Sequence, residues 1–280
     1  MPIMRRVKKW LCCLLVVVPL TTIFLIAVWA ASGRLDLELP IQEGIEQSFP
    51  KSLSSVTAAP PMPTARQGPN GAVTPETVVP SDADRLIDVP YISQENSLPT
   101  GCEIVSATML LHYYGYPIDE HTLIDRYLDK QPLVFQNDQY FGPHPCDAFV
   151  GDPYRSDGFG CYAPVIVRML NRAFDGEKTA VDTTGVSLDA LVRQSIDQGR
   201  PALIWATIGM APTTTGTCWT LSDGRTFTWK RNEHCLVLVG YDRNRYLFND
   251  PYRSNGLVGY SKELVERRFE ELGRQSIVVK

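Results

Sequence analysis

The sequence predicts an α+β domain over residues 86–280, carried behind an apolar N-terminal segment and a long spacer. Three observations lead there. Between Cys102 and Gly199, apolar residues recur at helical spacing in several separate stretches. From Pro201 the pattern changes to short strand-like runs, ALIWATI, RTFTW, CLVLVGY and RYLFN. Helices first and strands later favour segregated layers with a mainly antiparallel sheet over alternating strand–helix units. Finally, residues 32–85 hold no helical or alternating period, so the folded part begins after them.

The chain opens on Arg5, Arg6, Lys8 and Lys9, with no acid among its first 33 residues. An uncharged apolar run from Trp10 to Ala31 follows. About 20 apolar residues suffice to cross a bilayer as a helix. Positive charge ahead of such a span stays cytoplasmic. Residues 1–9 are therefore expected inside, 10–31 in the membrane as a transmembrane helix, and the rest outside. A cleaved signal peptide is the competing reading, and Val28-Trp29-Ala30 offers small-residue cleavage chemistry. The run is long against the ~7–15 apolar residues of a secretory segment, which favours the anchor. Cys12 and Cys13 sit at the cytoplasmic edge of the span, as buried thiols or as sites of acylation. In residues 32–85, Pro60, Pro61, Pro63, Pro69, Pro75 and Pro80 interrupt a stretch rich in Ser, Thr, Ala and Gly. That composition reads as a disordered linker.

The net charge is −4, but beyond residue 33 there are 23 basic residues against 31 acidic ones. An acidic domain excludes nucleic acid as a partner, since phosphate binding needs clustered Lys and Arg. The chain has four histidines and no CxxC or HExxH pair, so no metal site is expected. GxGxxG and GxxxxGK[ST] are also absent, and no cofactor is expected.

Within the domain, residues 86–92 alternate well enough for a strand. A helix follows from Cys102, with Ile104, Ala107, Thr108 and Leu111 at helical spacing and Gly115 as its stop. Asp119 caps a second helix expected to run to Lys130. Residues 131–163 read as a long loop rich in Gly, Pro, Asp and aromatics, either an insertion or a functional element that shapes or covers a cleft. Helices are expected over Pro164–Phe174, from Ser187 to a stop at Gly199, and over Ser261–Leu272; Gln275–Val279 is a closing strand.

The stretch QENSLPTGCEIVSATMLLHYYG, from Gln94 to Gly115, carries the chemistry. Cys102 opens its helix among unpaired backbone N–H groups at the positive end of the dipole, which favours the nucleophilic thiolate. Gln94 and the Cys102 backbone N–H could donate hydrogen bonds to an oxyanion. A thiolate needs a base. His234, in NEHCLVLVGYD, opens an apolar strand, and Asp250, in YLFNDPY, follows the next one and is placed to orient the imidazole. Each has a plainer alternative: a buried apolar cysteine, a turn-capping amide, a strand-ending histidine. The other histidines, His112, His121 and His144, lack a strand followed by an acid. Asn249 neighbours Asp250, but adjacent strand residues face opposite ways, so only one of the two should reach the imidazole.

These residues bring a resemblance into view. The order Gln, Cys, His, Asp resembles papain-like cysteine peptidases. VPYISQ, TGCEIVSATMLLHYYG, AFVGDP, GCYAPVI and NEHCLVLVGYD…FNDPY together resemble the bacterial branch related to the double-glycine leader (bacteriocin-processing) peptidases, over about Asp88 to Asp250. The resemblance implies a papain-like fold with Cys on a helix facing His on a sheet. It implies peptide-bond hydrolysis by Cys102, His234 and Asp250 through a thioester, Gln94 as oxyanion donor, a peptide or protein substrate and no cofactor. Leader peptidases of this kind work at the cytoplasmic face, attached to an exporter; the outward-facing domain expected here departs from that. Three other functions use or retain the same groups: a peptidoglycan stem-peptide amidase, an acyl transferase and a non-catalytic surface binder.

Cys146, Cys161, Cys218 and Cys235 remain. Disulfides are allowed outside the cytoplasm, and four cysteines permit three pairings. Local pairing suggests Cys146 with Cys161, and Cys218 with Cys235 across a hairpin turning at Ser222-Asp223-Gly224; buried free thiols are the alternative. Tyr140, Phe141, Trp219 and Trp229 are expected either in the cleft or in the core. DPYRSDG at 152–158 nearly repeats DPYRSNG at 250–256, an echo of turn chemistry. The sequence sets no oligomeric state.

Overall fold

A computed structural model describes residues 70–280, residue 96 excepted. The expected anchor, Cys12 and Cys13, and the linker up to residue 69 lie outside the described residues. No helix among the described ones is long and apolar enough to cross a membrane.

In chain order the strands are β1 (Glu76–Thr77), β2 (Arg85–Leu86), β3 (Lys130–Gln131), β4 (Val134–Gln136), β5 (Gln139–Phe141), β6 (Phe149–Val150), β7 (Ala180–Asp182), β8 (Ala202–Thr207), β9 (Thr214–Thr220), β10 (Thr226–Arg231), β11 (Glu233–Tyr241), β12 (Arg245–Asp250), β13 (Gly256–Ser261) and β14 (Ser276–Val279). The helices are α1 (Cys102–Tyr113), α2 (Glu120–Arg126), α3 (Ala163–Phe174), α4 (Leu188–Gln194) and α5 (Lys262–Glu271). Eight strands make one antiparallel sheet in the order β1-β13-β12-β11-β8-β14-β7, with β2 added to β11 at Gly240 and Tyr241. β8 and nearly all of β11 are buried, which is why they read as continuous apolar runs rather than alternations.

α1 departs from the single apolar face the sequence suggested. Cys102 through Leu111 are all buried, because the helix packs on β11 and β8 and also meets α2 and α3. A helix covered on every side is a core helix. Local chemistry sets the ends of the others. Asp119 accepts the Thr122 N–H at 2.7 Å, and Ser187 accepts that of Ala190 at 3.3 Å. Pro164 sits in the first turn of α3, where a missing N–H costs nothing. α2 stops at Arg126 instead of Lys130: the Tyr127 and Leu128 amides both close on the Leu123 carbonyl, and Lys130 leaves into β3. The strand expected over 86–92 shrinks to β2, with only the Ile87 N–H continuing the pairing, to the Val239 carbonyl.

The stretch 131–163 is structured. β4 and β5 form a hairpin, β5 joins β9, and the four strands β10-β9-β5-β4 make a second sheet. Beneath it lies a separate apolar cluster of Leu133, Val150, Phe159, Trp219, Leu221 and Trp229. Phe159 meets Trp219 and Trp229 edge-on at 5.4 and 5.8 Å. Both tryptophans thus belong to a core, with Tyr140 packed against it and Phe141 at the surface. The β9–β10 turn forms at Ser222-Asp223-Gly224, where Gly224 takes φ +83°.

Neither suggested disulfide forms: Cys146, Cys161, Cys218 and Cys235 are free thiols. Cys218 is exposed on the small sheet, bonded to the Thr228 hydroxyl at 3.2 Å, while Cys235 is buried in the large one. Burial pushes the Cys146 thiol up to about 11 and the Cys161 and Cys235 thiols well above their ordinary value.

Candidate active site

The turn Leu98–Gly101 delivers Cys102 to the start of α1. The Gly101 N–H closes on the Leu98 carbonyl at 3.1 Å, and a Cβ at Gly101 would lie 2.7 Å from Leu98 Cβ, so the tight approach needs glycine. Cys102 Sγ accepts the Cys235 backbone N–H at 3.3 Å. One helical turn on, the Ser106 hydroxyl donates to the Cys235 carbonyl at 3.1 Å. α1 thereby clips both backbone groups of the residue that follows His234. The bond from Cys235 N–H also favours negative charge on sulfur.

His234 Nε2–H donates to Asp250 Oδ1 at 2.7 Å, with both side chains buried. Asp250 takes three further donors: the Tyr252 N–H at 3.0 Å on Oδ1, and the Asn255 amide at 2.9 Å and the Tyr260 hydroxyl at 3.3 Å on Oδ2. Burial works against its charge, but the imidazole charge and bond of His234 and the donors from Asn255 and Tyr252 win, holding the carboxyl below its ordinary range. Burial and the adjacent carboxylate push Tyr260 up, so it stays a donor. The other ring nitrogen, Nδ1, has no hydrogen-bond partner in the structure. The Tyr252 ring covers His234 edge-on at 5.9 Å. Asn249 faces the other way, its amide on the Val89 carbonyl at 2.8 Å.

Gln94 is fixed between the two halves. Its N–H donates to the Pro251 carbonyl at 3.0 Å, one residue beyond Asp250. Its side-chain amide reaches the Leu98 carbonyl at 3.5 Å, in the turn before Cys102, and Oε1 has no hydrogen-bond partner. The near-repeated DPYRS segments lie on either flank of this loop. Thr100 Oγ1 donates to the Arg155 carbonyl at 3.0 Å, while Ser93 and Ser254 share a hydroxyl bond at 2.9 Å. Cys102 and His234 are 0 % exposed, Asp250 1 % and Gln94 2 %, so the site is closed.

Sequence reasoning passed over Glu103 and Glu233. Both are buried, and their carboxylates and Cys102 Sγ lie within 4.8 Å of one another. Glu103 Oε1 accepts the Cys161 N–H at 2.8 Å, and Oε2 accepts the Cys102 thiol proton at 3.1 Å. Within this set these bonds tie Glu103 to Cys102 and to the Cys161 amide. The available signal was an acid inside a run of buried apolar residues, CEIVSATMLL, where a solvated face would show more than one polar residue per turn.

Residues 86–277 match the family model described as Peptidase C39-like. The chain belongs to the Peptidase C39-like family. The uncharacterized protein YvpB of Bacillus subtilis (strain 168) is 30 % identical over 187 residues, covering 65 % of this chain and 70 % of YvpB. A crystal structure of a candidate C39-like peptidase from Bacillus anthracis superposes with a TM-score of 0.61 at 30 % identity, over 70 % of this chain and 98 % of the other. A double glycine motif protease from an AMS/PCAT transporter, solved with a leader peptide, aligns over 74 % of this chain and 96 % of its own at 16 % identity and a TM-score of 0.37, too remote to bear on substrate. Family and superposition agree on a mixed helix-and-sheet fold of the cysteine-peptidase type.

Proposed function

We propose that this chain is a membrane-anchored, extracytoplasmic cysteine peptidase with Cys102 as nucleophile, His234 as base, Asp250 as orienting acid and Gln94 as oxyanion donor. One observation carries the reading. The buried His234–Asp250 bond fixes a ring whose Nδ1 has no hydrogen-bond partner, on the strand that α1 clips through Cys102 and Ser106. Family membership supports the same chemistry.

In the mechanism, the Cys102 proton passes to Nδ1 and Asp250 holds the resulting imidazolium. The thiolate attacks a peptide carbonyl; the Cys102 backbone N–H and the Gln94 amide bind the oxyanion. His234 then gives its proton to the leaving amine as the C–N bond breaks. Water, deprotonated by His234, hydrolyses the thioester and restores the thiol.

The test is the pH dependence of iodoacetamide alkylation at Cys102 in the full chain, located by mass spectrometry and compared with His234→Ala. An alkylation profile whose midpoint moves when His234 is replaced is expected. A profile with the ordinary thiol value of about 8.5, unchanged by His234→Ala, overturns the reading. Peptide cleavage with added amine, and digestion of purified cell walls, separate hydrolysis of peptides from acyl transfer and stem-peptide cleavage. Exposure of the domain to protease added outside intact cells tests the orientation.

A further inference from the structure

We infer that Glu103 is a positioning residue that holds the Cys102 nucleophile in a protonated resting state. The inference rests on the proposed function for its meaning and on three features of the structure for its substance.

The first is the bond itself. The Cys102 thiol donates to Glu103 Oε2 at 3.1 Å while His234 Nδ1 stays without a hydrogen-bond partner. The second is that Glu103 is held in place independently of Cys102: its other oxygen takes the Cys161 N–H at 2.8 Å. The third is that the neighbouring chain is shaped around that carboxylate. Gly160 adopts φ +146°, and a Cβ there would fall 2.4 Å from Glu103 Oε1 and 3.1 Å from Glu233 Oε2. Placement in the first turn of a twelve-residue helix also favours the carboxylate through the dipole.

The groups facing Cys102 come from three elements. Glu103 is on its own helix, Glu233 and Cys235 are on β11, whose next residue after Glu233 is His234, and Cys161 leads into α3. A carboxylate on the thiol proton opposes ionisation of sulfur, while the Cys235 N–H and an imidazolium favour it. Glu103 and His234 therefore compete for one proton: at rest it lies on sulfur, bonded to Glu103. Activation exchanges that bond for transfer to Nδ1, with no net change in protons within the site. Closure of the site and this bond together keep the nucleophile uncharged until a substrate opens it.

The experiment is a carbon-13 NMR titration of the full chain labelled at cysteine Cβ and glutamate carboxyl carbons, which reads the thiol without a reagent reaching it. Glu103→Gln keeps an oxygen for the Cys161 N–H and removes the charge. The Cys102 midpoint is expected to fall by about one pH unit, a roughly tenfold gain in thiolate at a fixed lower pH. An unchanged midpoint assigns Glu103 a purely structural role and overturns the inference. An equal shift from Glu233→Gln also overturns it, since the effect would then belong to the shared field. In the unsubstituted protein, the Glu103 carboxyl and Cys102 Cβ signals should move in the same steps, as coupled groups do; independent titration refutes the bond without any substitution. His234→Ala separates the two readings. A Cys102 midpoint insensitive to His234 but sensitive to Glu103 sinks the peptidase reading and leaves this one standing, and the reverse result does the opposite.

Discussion

Asp250 shows how much can rest on one carboxylate. Its two oxygens hold four donors, and one of them fixes the imidazole tautomer. Asp250→Asn changes that logic with little change in volume. The Tyr252 N–H favours the amide oxygen at the Oδ1 position, so the ring tautomer persists while the charge that would hold an imidazolium is lost. Peptide cleavage should fall, by less than the roughly 10⁴-fold of the same exchange in serine peptidase triads, since Cys-His-Asn sites work with an amide in this place. Stability carries a second signature. A carboxyl held below its ordinary range contributes stability that is present above the unfolded value and is lost as pH falls through the folded one. Thermal melts of the unsubstituted protein should therefore decline with acid below the usual aspartate range, near 3.8. Asp250→Asn should show a shallower decline there; matching slopes would mean that Asp250 does not report on folding. At this scale the sequence singled out Cys102, His234 and Asp250, because their spacing around strands and a helix start is local information. It hid Glu103, because a charge within an apolar helix reveals its partner, the Cys161 amide, only once a segment nearly 60 residues away has folded onto it.

Among elements, the junction of α1 with β11 matters most. α1 supplies Cys102 Sγ and the Ser106 hydroxyl to the two backbone groups of Cys235, doing for that residue what a neighbouring strand would do. Register explains the vacancy: the pairing of β11 with β12 begins at Val237 and Asn249, so residue 235 lies beyond it. Ser106→Ala should strand the buried Cys235 carbonyl and cost about 1–3 kcal/mol in chemical denaturation. It should also lower kcat more than it raises KM, because the nucleophile would be less well fixed relative to His234. A loss of stability with unchanged turnover would limit the clip to folding. Elements with strong punctuation were legible: Asp119 and Ser187 mark starts that the structure reproduces, whereas α4 stops at Gln194 and Gly199 closes a short 3-10 turn after it. β9 was not, since TTGTCWT mixes Gly and Thr with no sustained alternation, and its partner β5 comes from a stretch that reads as loop. β13, in GLVGYS, was hidden by two glycines, one of which lies against the Arg245 stem with no room for a side chain to spare.

At the scale of the whole molecule, the described residues build two cores of unequal size. The large sheet and the helices packed against it form the main one, and a satellite of aromatic residues lies under the small sheet. The sequence anticipated one domain with helices before strands and a mainly antiparallel sheet, which the large sheet matches. It could not anticipate the satellite, because that core joins Leu133, Val150 and Phe159 to Trp219, Leu221 and Trp229 across about half of the domain's length. This arrangement has a consequence for the site. Phe159 is the residue before Gly160, and Cys161 donates to Glu103, so the satellite core presses the covering segment onto α1. Trp219→Ala should cost about 3–5 kcal/mol as a buried aromatic deletion. It should do so unevenly: amide hydrogen exchange ought to accelerate in β4, β5, β9 and β10 and in residues 159–161, with β8, β11 and β12 still protected. If the cover is released as this geometry implies, Cys102 in Trp219→Ala becomes alkylated faster at every pH without a change in the midpoint of its profile. Uniformly faster exchange in both sheets would instead make the two cores one cooperative unit, and the small sheet would then have no independent part in closing the site.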